Sequence, residues 1–292
     1  MKTLILLAFL LATPAIAADP IRAVSWNIEW FPGARPNAPK EDKDRHFKLV
    51  QAELPRMNPD ILLAQEITDH GAMEKLVSAV PGLKVHVMSR FMDEESGEPS
   101  LQQQVIASRL QAHSAWFEAF KPAGHLPDLR RGFAFAALKH PQGGLILVYS
   151  VHLKSNGGSD KPGGEENIAN TRAESVRQIL AHMEEVKNTK FAGETIAGWV
   201  IGGDFNTNHD GQFPKCTVIL QLSDAGFHNS WSETAKELRQ TWRNHPDDTR
   251  FKPTTFDYIM TRGFKKTQAK IVPDISLEVS DHAPVTLDLE TP

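Results

Sequence analysis

Six short apolar runs in this chain end in, or carry at their edge, a carboxylate, carboxamide or imidazole. That pattern constrains the fold more than any other feature. Ile21-Arg22-Ala23-Val24-Ser25-Trp26 leads into Asn27 and Glu29. Ile61-Leu62-Leu63-Ala64-Gln65 leads into Glu66, and Leu145-Ile146-Leu147-Val148-Tyr149-Ser150-Val151 into His152. Trp199-Val200-Ile201-Gly202-Gly203 leads into Asp204, Phe205 and Asn206. Thr255-Phe256 precedes Asp257 and Tyr258, and Ser280 precedes Asp281-His282-Ala283-Pro284. Runs of this length, bounded by turn formers, read as strands. Strands of one sheet end side by side, so their terminal residues can converge on one site.

Strands are expected at residues 21–26, 60–65, 83–88, 104–108, 133–138, 145–151, 199–203, 255–260 and 285–289. Helices are expected at 46–56, 73–80, 167–186, 218–226 and 232–240. The longest helix carries Ile168, Val176, Ile179, Leu180, Met183 and Val186 close to a 3.6-residue rhythm. Two loops stand out, 93–100 and the Gly-rich 154–166. The second lacks the Gly-Lys-Ser/Thr pattern that cradles phosphate, and reads as a flexible connection. Repeats and long linkers are absent, so one layered α/β domain is expected. Two packed sheets with helices outside is one such arrangement; periodicity alone leaves other α/β folds open.

The first segment has a different character. Lys2 precedes an apolar run over residues 4–12, a Pro14 break, and Ala15-Ile16-Ala17, the small-x-small pattern of a signal peptidase site. The run is too short for a stable membrane anchor. Residues 1–17 are therefore expected to be a signal peptide and 18–292 the folded domain, periplasmic or extracellular and without a membrane anchor. Cys216 is the single cysteine. An internal disulfide is thus impossible, which fits a bacterial exported protein better than a disulfide-stapled one. In Phe213-Pro214-Lys215-Cys216-Thr217 it is expected to pack rather than to act as a nucleophile.

The formal net charge is −4, and loss of the leader, with its one lysine and no acid, makes it −5. A nonspecific nucleic-acid binder presents a basic surface. An anionic substrate must here be met by a local Arg/Lys patch or by a metal. The strand ends agree with the second option. A buried, unpaired carboxylate is costly, and Glu29, Glu66, Asp204, Asp257 and Asp281 together need a cation or an imidazolium. All-oxygen donors favour Mg²⁺, Mn²⁺ or Ca²⁺ over zinc. Mg²⁺ takes only one or two protein carboxylates, leaving the other acids to orient a histidine or activate water. Singly, none of these residues decides: Asn27 or Asn206 can be a turn or cap residue, Glu66 an acid at a helix start, His152 a core histidine, and Ser280-Asp281-His282 a cap. Their order and placement carry the argument.

That order resembles the endonuclease/exonuclease/phosphatase (DNase I-like) superfamily over the whole stretch from Ala23 to Leu289. Its motifs stand here as Ser25-Trp26-Asn27, Gln65-Glu66, Val151-His152-Leu153, Gly203-Asp204-Phe205-Asn206, Phe256-Asp257-Tyr258 and Ser280-Asp281-His282-Ala283-Pro284. The resemblance implies a four-layered α/β/β/α sandwich in a single domain. It implies Glu66 as principal ligand of Mg²⁺ (Mn²⁺ or Ca²⁺ as alternatives), with Glu29, Asn27 and Asp281 completing the shell directly or through water. Asp204 would orient or deprotonate the attacking water and Asn206 would hold a phosphate oxygen. His282, fixed by Asp257, and His152 would handle protons or stabilise the pentavalent state. Arg130 falls where members of the family often contact phosphate, with surface solvation as its alternative. Gln103 falls near the place of an acid that orients the first histidine, and would give His152 a neutral partner.

Departures bear on substrate. Ile67-Thr68-Asp69 follows Glu66 with no arginine, the inositol-phosphatase signature around Asp257 is missing, and no exposed aromatic hairpin of the sphingomyelinase kind is evident. The leading expectation is a metal-dependent nuclease with DNA, or RNA, as partner and no stable protein partner implied. The alternatives are a phosphomonoesterase, a sphingomyelinase-like phospholipid phosphodiesterase, and a catalytically silent binding module.

Overall fold

The computed structural model describes residues 19–93, 96–124, 126, 131–244 and 252–292. The expected signal peptide and Arg130 lie outside the described residues. Alternation of side chains along the strands explains the layering. In β1 (Ile21–Phe31), β2 (Ile61–Ile67) and β4 (Gln103–Ser108), one set, Ala23, Ile61, Leu63 and Ile106, joins the core shared with the second sheet. The other set, Val24, Trp26, Leu62, Ala64, Val105 and Ala107, packs on Val50, Leu54 and Met57 of α1 (Lys40–Met57) and Met73 and Leu76 of α2 (His70–Val77). Period-two patterning with both faces apolar requires cover on both sides.

Adding β3 (Lys84–Met88), β11 (Lys270–Ile271) and β12 (Val285–Leu289), the first sheet runs β11-β12-β1-β2-β4-β3. The second contains β5 (Ala112–Ala119), β6 (Gly132–Lys139), β7 (Leu145–His152), β8 (Ile196–Asp204), β9 (His228–Asn229) and β10 (Asp257–Arg262), in the order β5-β6-β7-β8-β10-β9. Its outer face is covered by α3 (Gly164–Asn188) and α4 (Val218–Asp224). The result is the expected four-layered sandwich in one domain. The sheets approach closely at Gly202, where a Cβ would fall 2.4 Å from Leu63 Cδ1. Next to it Gly203 has φ +151°, and a Cβ there would meet the Val151 carbonyl at 1.9 Å. Among the described residues no helix is long and apolar enough to cross a membrane.

Every expected strand is present, but the elements differ in detail. β5 was not expected: Ala-His-Ser-Ala-Trp-Phe-Glu-Ala is an edge strand whose polar and small residues hide its pattern. The short strands β9 and β11 also lack a sequence signal. The helix expected at 232–240 is a single 3₁₀ turn, Lys236–Leu238. Its composition favours helix, but Leu238 is 71% exposed, so no apolar face drives it onto the body. The strand expected at 255–260 starts at Asp257, since Thr255 and Phe256 serve the neighbouring loop: Thr255 Oγ1 donates to Arg239 O and Phe256 N to Thr241 Oγ1. Cys216 is half-buried and packs against the core, as expected.

Candidate active site

Strand register assembles the centre. Parallel pairing sets His152 of β7 beside Asp204 of β8, and antiparallel pairing sets Asp204 opposite Asp257 of β10. These three residues therefore stand in a row across the end of the second sheet. On the facing sheet, Asn27 of β1 pairs with Gln65 of β2, next to Glu66. The β1–β2 register is interrupted between Asn27 and Phe31, where Glu29 and Trp30 take φ 39° and 51°; Glu66 takes φ 61° and Asn206 φ 53°. Four non-glycine residues in the left-handed region at one site are strain held by surrounding contacts.

Those contacts are specific. Asn27 Nδ2 donates to Glu66 Oε1 at 3.1 Å and to Asp204 Oδ2 at 3.2 Å, bridging the two sheets through their carboxylates. Glu66 Oε2 accepts Trp30 N at 3.2 Å. Asn27 Oδ1 accepts Glu29 N, and Glu29 Oε2 accepts Asp281 N at 3.0 Å. Ser280 Oγ donates to Asn27 O and accepts His282 N, while Trp26 Nε1 donates to His282 O. Trp242 Nε1 donates to Asp281 Oδ2 at 3.0 Å. His282 Nδ1 lies 2.7 Å from Asp257 Oδ2, and its Nε2 is 3.8 Å from Asp204 Oδ2. His152 Nε2 is 3.5 Å from Asp204 Oδ2 and 3.7 Å from Glu66 Oε1. Asn206 N donates to Asp204 Oδ1 at 2.8 Å.

Burial divides the two histidines. It pushes His152 well below the usual imidazole value, and Arg131 and His282 push the same way, so this ring is neutral. Burial also disfavours charge on His282, but the carboxylates of Asp257, Asp281 and Asp204 outweigh it and hold the ring protonated, well above the usual value. Burial raises Glu66, with Asp281 adding to the effect and the Asn27 hydrogen bond opposing it. It raises Asp204 to about 7, against the pull of His282. One cluster thus contains a neutral imidazole, an imidazolium and a carboxylate poised near neutrality. Opposed environments of this kind separate acid from base.

A sequence profile of the Endonuclease/Exonuclease/phosphatase family matches residues 24–282. The chain belongs to the endonuclease/exonuclease/phosphatase family. Enzymes of this family hydrolyse phosphoester bonds and are generally dependent on divalent metal. No curated protein matches the sequence. Among solved structures, the chain is similar to an endonuclease/exonuclease/phosphatase family protein from Bacteroides thetaiotaomicron, with 18% identity and TM-score 0.67, covering 93% of this chain and 95% of that one. A family protein from Leptotrichia buccalis is 14% identical with TM-score 0.63, covering 92% and 99%. Truncated Caenorhabditis elegans TDP2 is 15% identical with TM-score 0.61, covering 93% and 97%. At these identities the likeness is one of fold.

The family's divalent cation fits the donor set. Glu66, Glu29, Asp281 and Asn27 offer oxygen, and five acids face one imidazolium in the cluster. Among the described residues no three His, Cys, Asp or Glu side chains close around a point as a metal cage would. Asn27 here serves through its nitrogen as the bridge between Glu66 and Asp204, and Glu29 through its bond to the Asp281 backbone.

All nine expected catalytic and ligand residues within the described chain converge. Gln103 does not partner His152. Its carboxamide bonds Ser89, Phe91 and Ser100 and locks the preceding loop, and His152 Nδ1 is buried without a hydrogen-bond partner among the described residues. Arg131, the neighbour of Arg130, was missed: its Nη1 donates to His152 O and Leu153 O and its Nη2 to Gln102 Oε1. The paired arginines in Leu129-Arg130-Arg131-Gly132 were the available signal. Trp242 and Ser280 act through hydrogen bonds that no spacing reveals.

Proposed function

We propose that this protein is an exported, Mg²⁺-dependent phosphodiester hydrolase, a nuclease of the DNase I kind that acts on DNA, with RNA as a second candidate substrate. The carrying observation is the pair of buried histidines on one carboxylate cluster, His282 with Nδ1 2.7 Å from Asp257 Oδ2 and His152 with Nε2 3.5 Å from Asp204 Oδ2 and 3.7 Å from Glu66 Oε1. In-line attack by water needs a base, a held phosphate and positive charge at the five-coordinate phosphorus. Asp204 accepts the proton of water, with an affinity near the working pH of an efficient base. Asn206 holds a non-bridging oxygen through its carboxamide. His282 donates its Nε2–H to the oxygen on which charge develops, its Nδ1–H being committed to Asp257. His152 adds a neutral ring N–H, since two carboxylate oxygens beside Nε2 favour the proton there. Glu66, with Glu29, Asn27 and Asp281 directly or through water, would hold Mg²⁺ (Mn²⁺ or Ca²⁺ as alternatives). When bound, the cation supplies a Lewis acid and a template. Arg130 would add a phosphate contact.

A second reading, a phospholipid phosphodiesterase, draws on one observation. Met92, Leu101 and Phe117 are 47%, 42% and 38% exposed, and Met92 lines the same cavity as His152, Arg131 and Lys154. Plasmid nicking and RNA cleavage with Mg²⁺, beside sphingomyelin and a panel of sugar phosphates, separate the readings. Nicking is expected. DNA and RNA left intact while a phospholipid or a phosphomonoester is cleaved would put the alternative in its place.

Export rests on the apolar run and Ala15-Ile16-Ala17. The mass of protein recovered from periplasm or medium is expected to correspond to a chain starting at Ala18 or Asp19. A recovered chain still starting at Met1 refutes export with cleavage.

A further inference from the structure

Arg172 occupies an odd place. It lies four residues after Ile168 and four before Val176, inside the apolar stripe by which α3 docks, and it is 1% exposed. Burial pushes its guanidinium below the ordinary arginine value, and a buried charge in a docking stripe is costly. Its hydrogen bonds do not go to a carboxylate. Nε donates to Lys154 O at 2.6 Å and Nη2 to Asn156 Oδ1 at 2.9 Å, with Cys216 beside it and the Phe213 ring 5.9 Å away. Its donors are thus spent on the 154–156 loop rather than on a counter-ion.

The geometry leads to the centre. Asn156 Nδ2 donates to Asn206 O at 3.0 Å, and Asn206 Nδ2 donates to Leu153 O at 3.2 Å. Asn206 is left-handed at φ 53°, with its N–H on Asp204 Oδ1. A non-glycine residue stays in that region only where its surroundings impose it. Two of the restraints, at the Asn206 carbonyl and at its carboxamide, come from the 153–156 loop, and Arg172 grips that loop at Lys154 and Asn156. The loop is therefore tied down where it meets the centre, against the sequence expectation of a flexible connection.

We propose that Arg172 is a positioning residue which, through Asn156, sets the backbone and carboxamide of Asn206 for the phosphoryl group; this rests on the phosphodiesterase reading above. Asp204 also feels the Arg172 charge directly, but the hydrogen bonds of Arg172 reach the centre only through the loop.

The test pairs Arg172→Lys and Asn156→Ala with Asn206→Ala in double-mutant cycles, with bis(p-nitrophenyl) phosphate and Mg²⁺ as the assay. Asn156 is a half-buried loop residue, so its variant keeps the fold if Arg172 variants do not. Each single change is expected to lower kcat ~10- to 100-fold, the scale of a small misplacement of a reacting group, with KM moved less than about threefold. Added to Asn206→Ala, each is expected to cost much less than it does alone, because the carboxamide the relay aims is gone and only its hold on the backbone carbonyl remains. Losses that add in full, or that appear in KM alone, overturn the proposal. A second readout needs no turnover: the ¹⁵N-resolved carboxamide and backbone signals of Asn206 are expected to shift, and its amide exchange to quicken, in both variants. A wild-type protein that cleaves no phosphodiester ends the functional reading, and the Asn206 signals still decide the relay: unchanged signals overturn it.

Discussion

His282→Ala is expected to lower turnover on the protein's phosphodiester substrate by about 10²- to 10⁴-fold, the scale of a lost acid–base group. The side chain is buried, 2.7 Å from Asp257 through Nδ1, and kept protonated by the surrounding carboxylates. It is the one imidazolium of the cluster, and its Nε2–H faces the space bordered by Asp204 and Asp281. Alanine removes the positive charge and the donor together, while Asn206, the phosphate contact of the proposed mechanism, remains. The loss should therefore fall on kcat. The backbone of residue 282 is held from outside the ring, by Trp26 Nε1 on its carbonyl and Ser280 Oγ on its N–H, so the segment keeps its place. Asp257 is left without its partner, and a fall in melting temperature is expected, the cost of a broken buried pair being about 3–5 kcal/mol. Steady-state kinetics on the folded variant, checked by circular dichroism, decide the matter. Wild-type turnover in the folded variant would remove His282 from the mechanism.

Chelation is expected to take activity to background, and Mg²⁺ or Mn²⁺ to restore it. Glu29, Glu66, Asp204, Asp257 and Asp281 surround the place where the proposed mechanism puts the phosphate, with His282 as their imidazolium. Two like charges 4 Å apart at an effective dielectric constant near 20 repel by about 4 kcal/mol, roughly a thousandfold in binding for each uncompensated neighbour. Arg131 favours the charged form of Glu66, but it is one guanidinium beside five acids and also donates to the carbonyls of His152 and Leu153 and to Gln102. The missing positive charge must come from a cation. Two measurements follow: activity before and after exhaustive EDTA treatment, and melting with and without Mg²⁺, which should rise as RT ln(1 + [L]/Kd) dictates for a ligand of the folded state alone. Glu66→Gln should abolish both effects. Full activity after complete chelation would falsify the metal assignment.

The layers and the centre were legible for a common reason. Strand-end residues such as His152, Asp204 and Asp257 advertise themselves because a buried apolar run cannot end in a charge without a partner, and cross-strand register then aligns them. β5 was illegible because an edge strand half-covered by solvent has no need of a continuous apolar pattern. The segment at 232–240 misled because helix-favouring composition means little without a face to bury. Gln103 was assigned by position alone, and its carboxamide proved to be engaged by the loop beside it. Arg172 had a signal, a charge within the apolar stripe of α3, but its partners are backbone and amide groups of a loop, and no periodicity encodes those.

The pairing of the first strand with the last has a consequence for biosynthesis. β1 lies between β2 and the C-terminal β12, with Ile21 opposite Leu289, and the centre joins Asn27 to His282 through Ser280. While the ribosome is still making the middle of the chain, β1 is an open sheet edge with unpaired backbone groups, and the imidazolium, its clip and Asp281 do not yet exist. Contacts this distant in sequence also form slowly. Until β12 arrives the edge of β1 stays open and the centre is incomplete. Closure of the sheet and assembly of the centre are thereby one event.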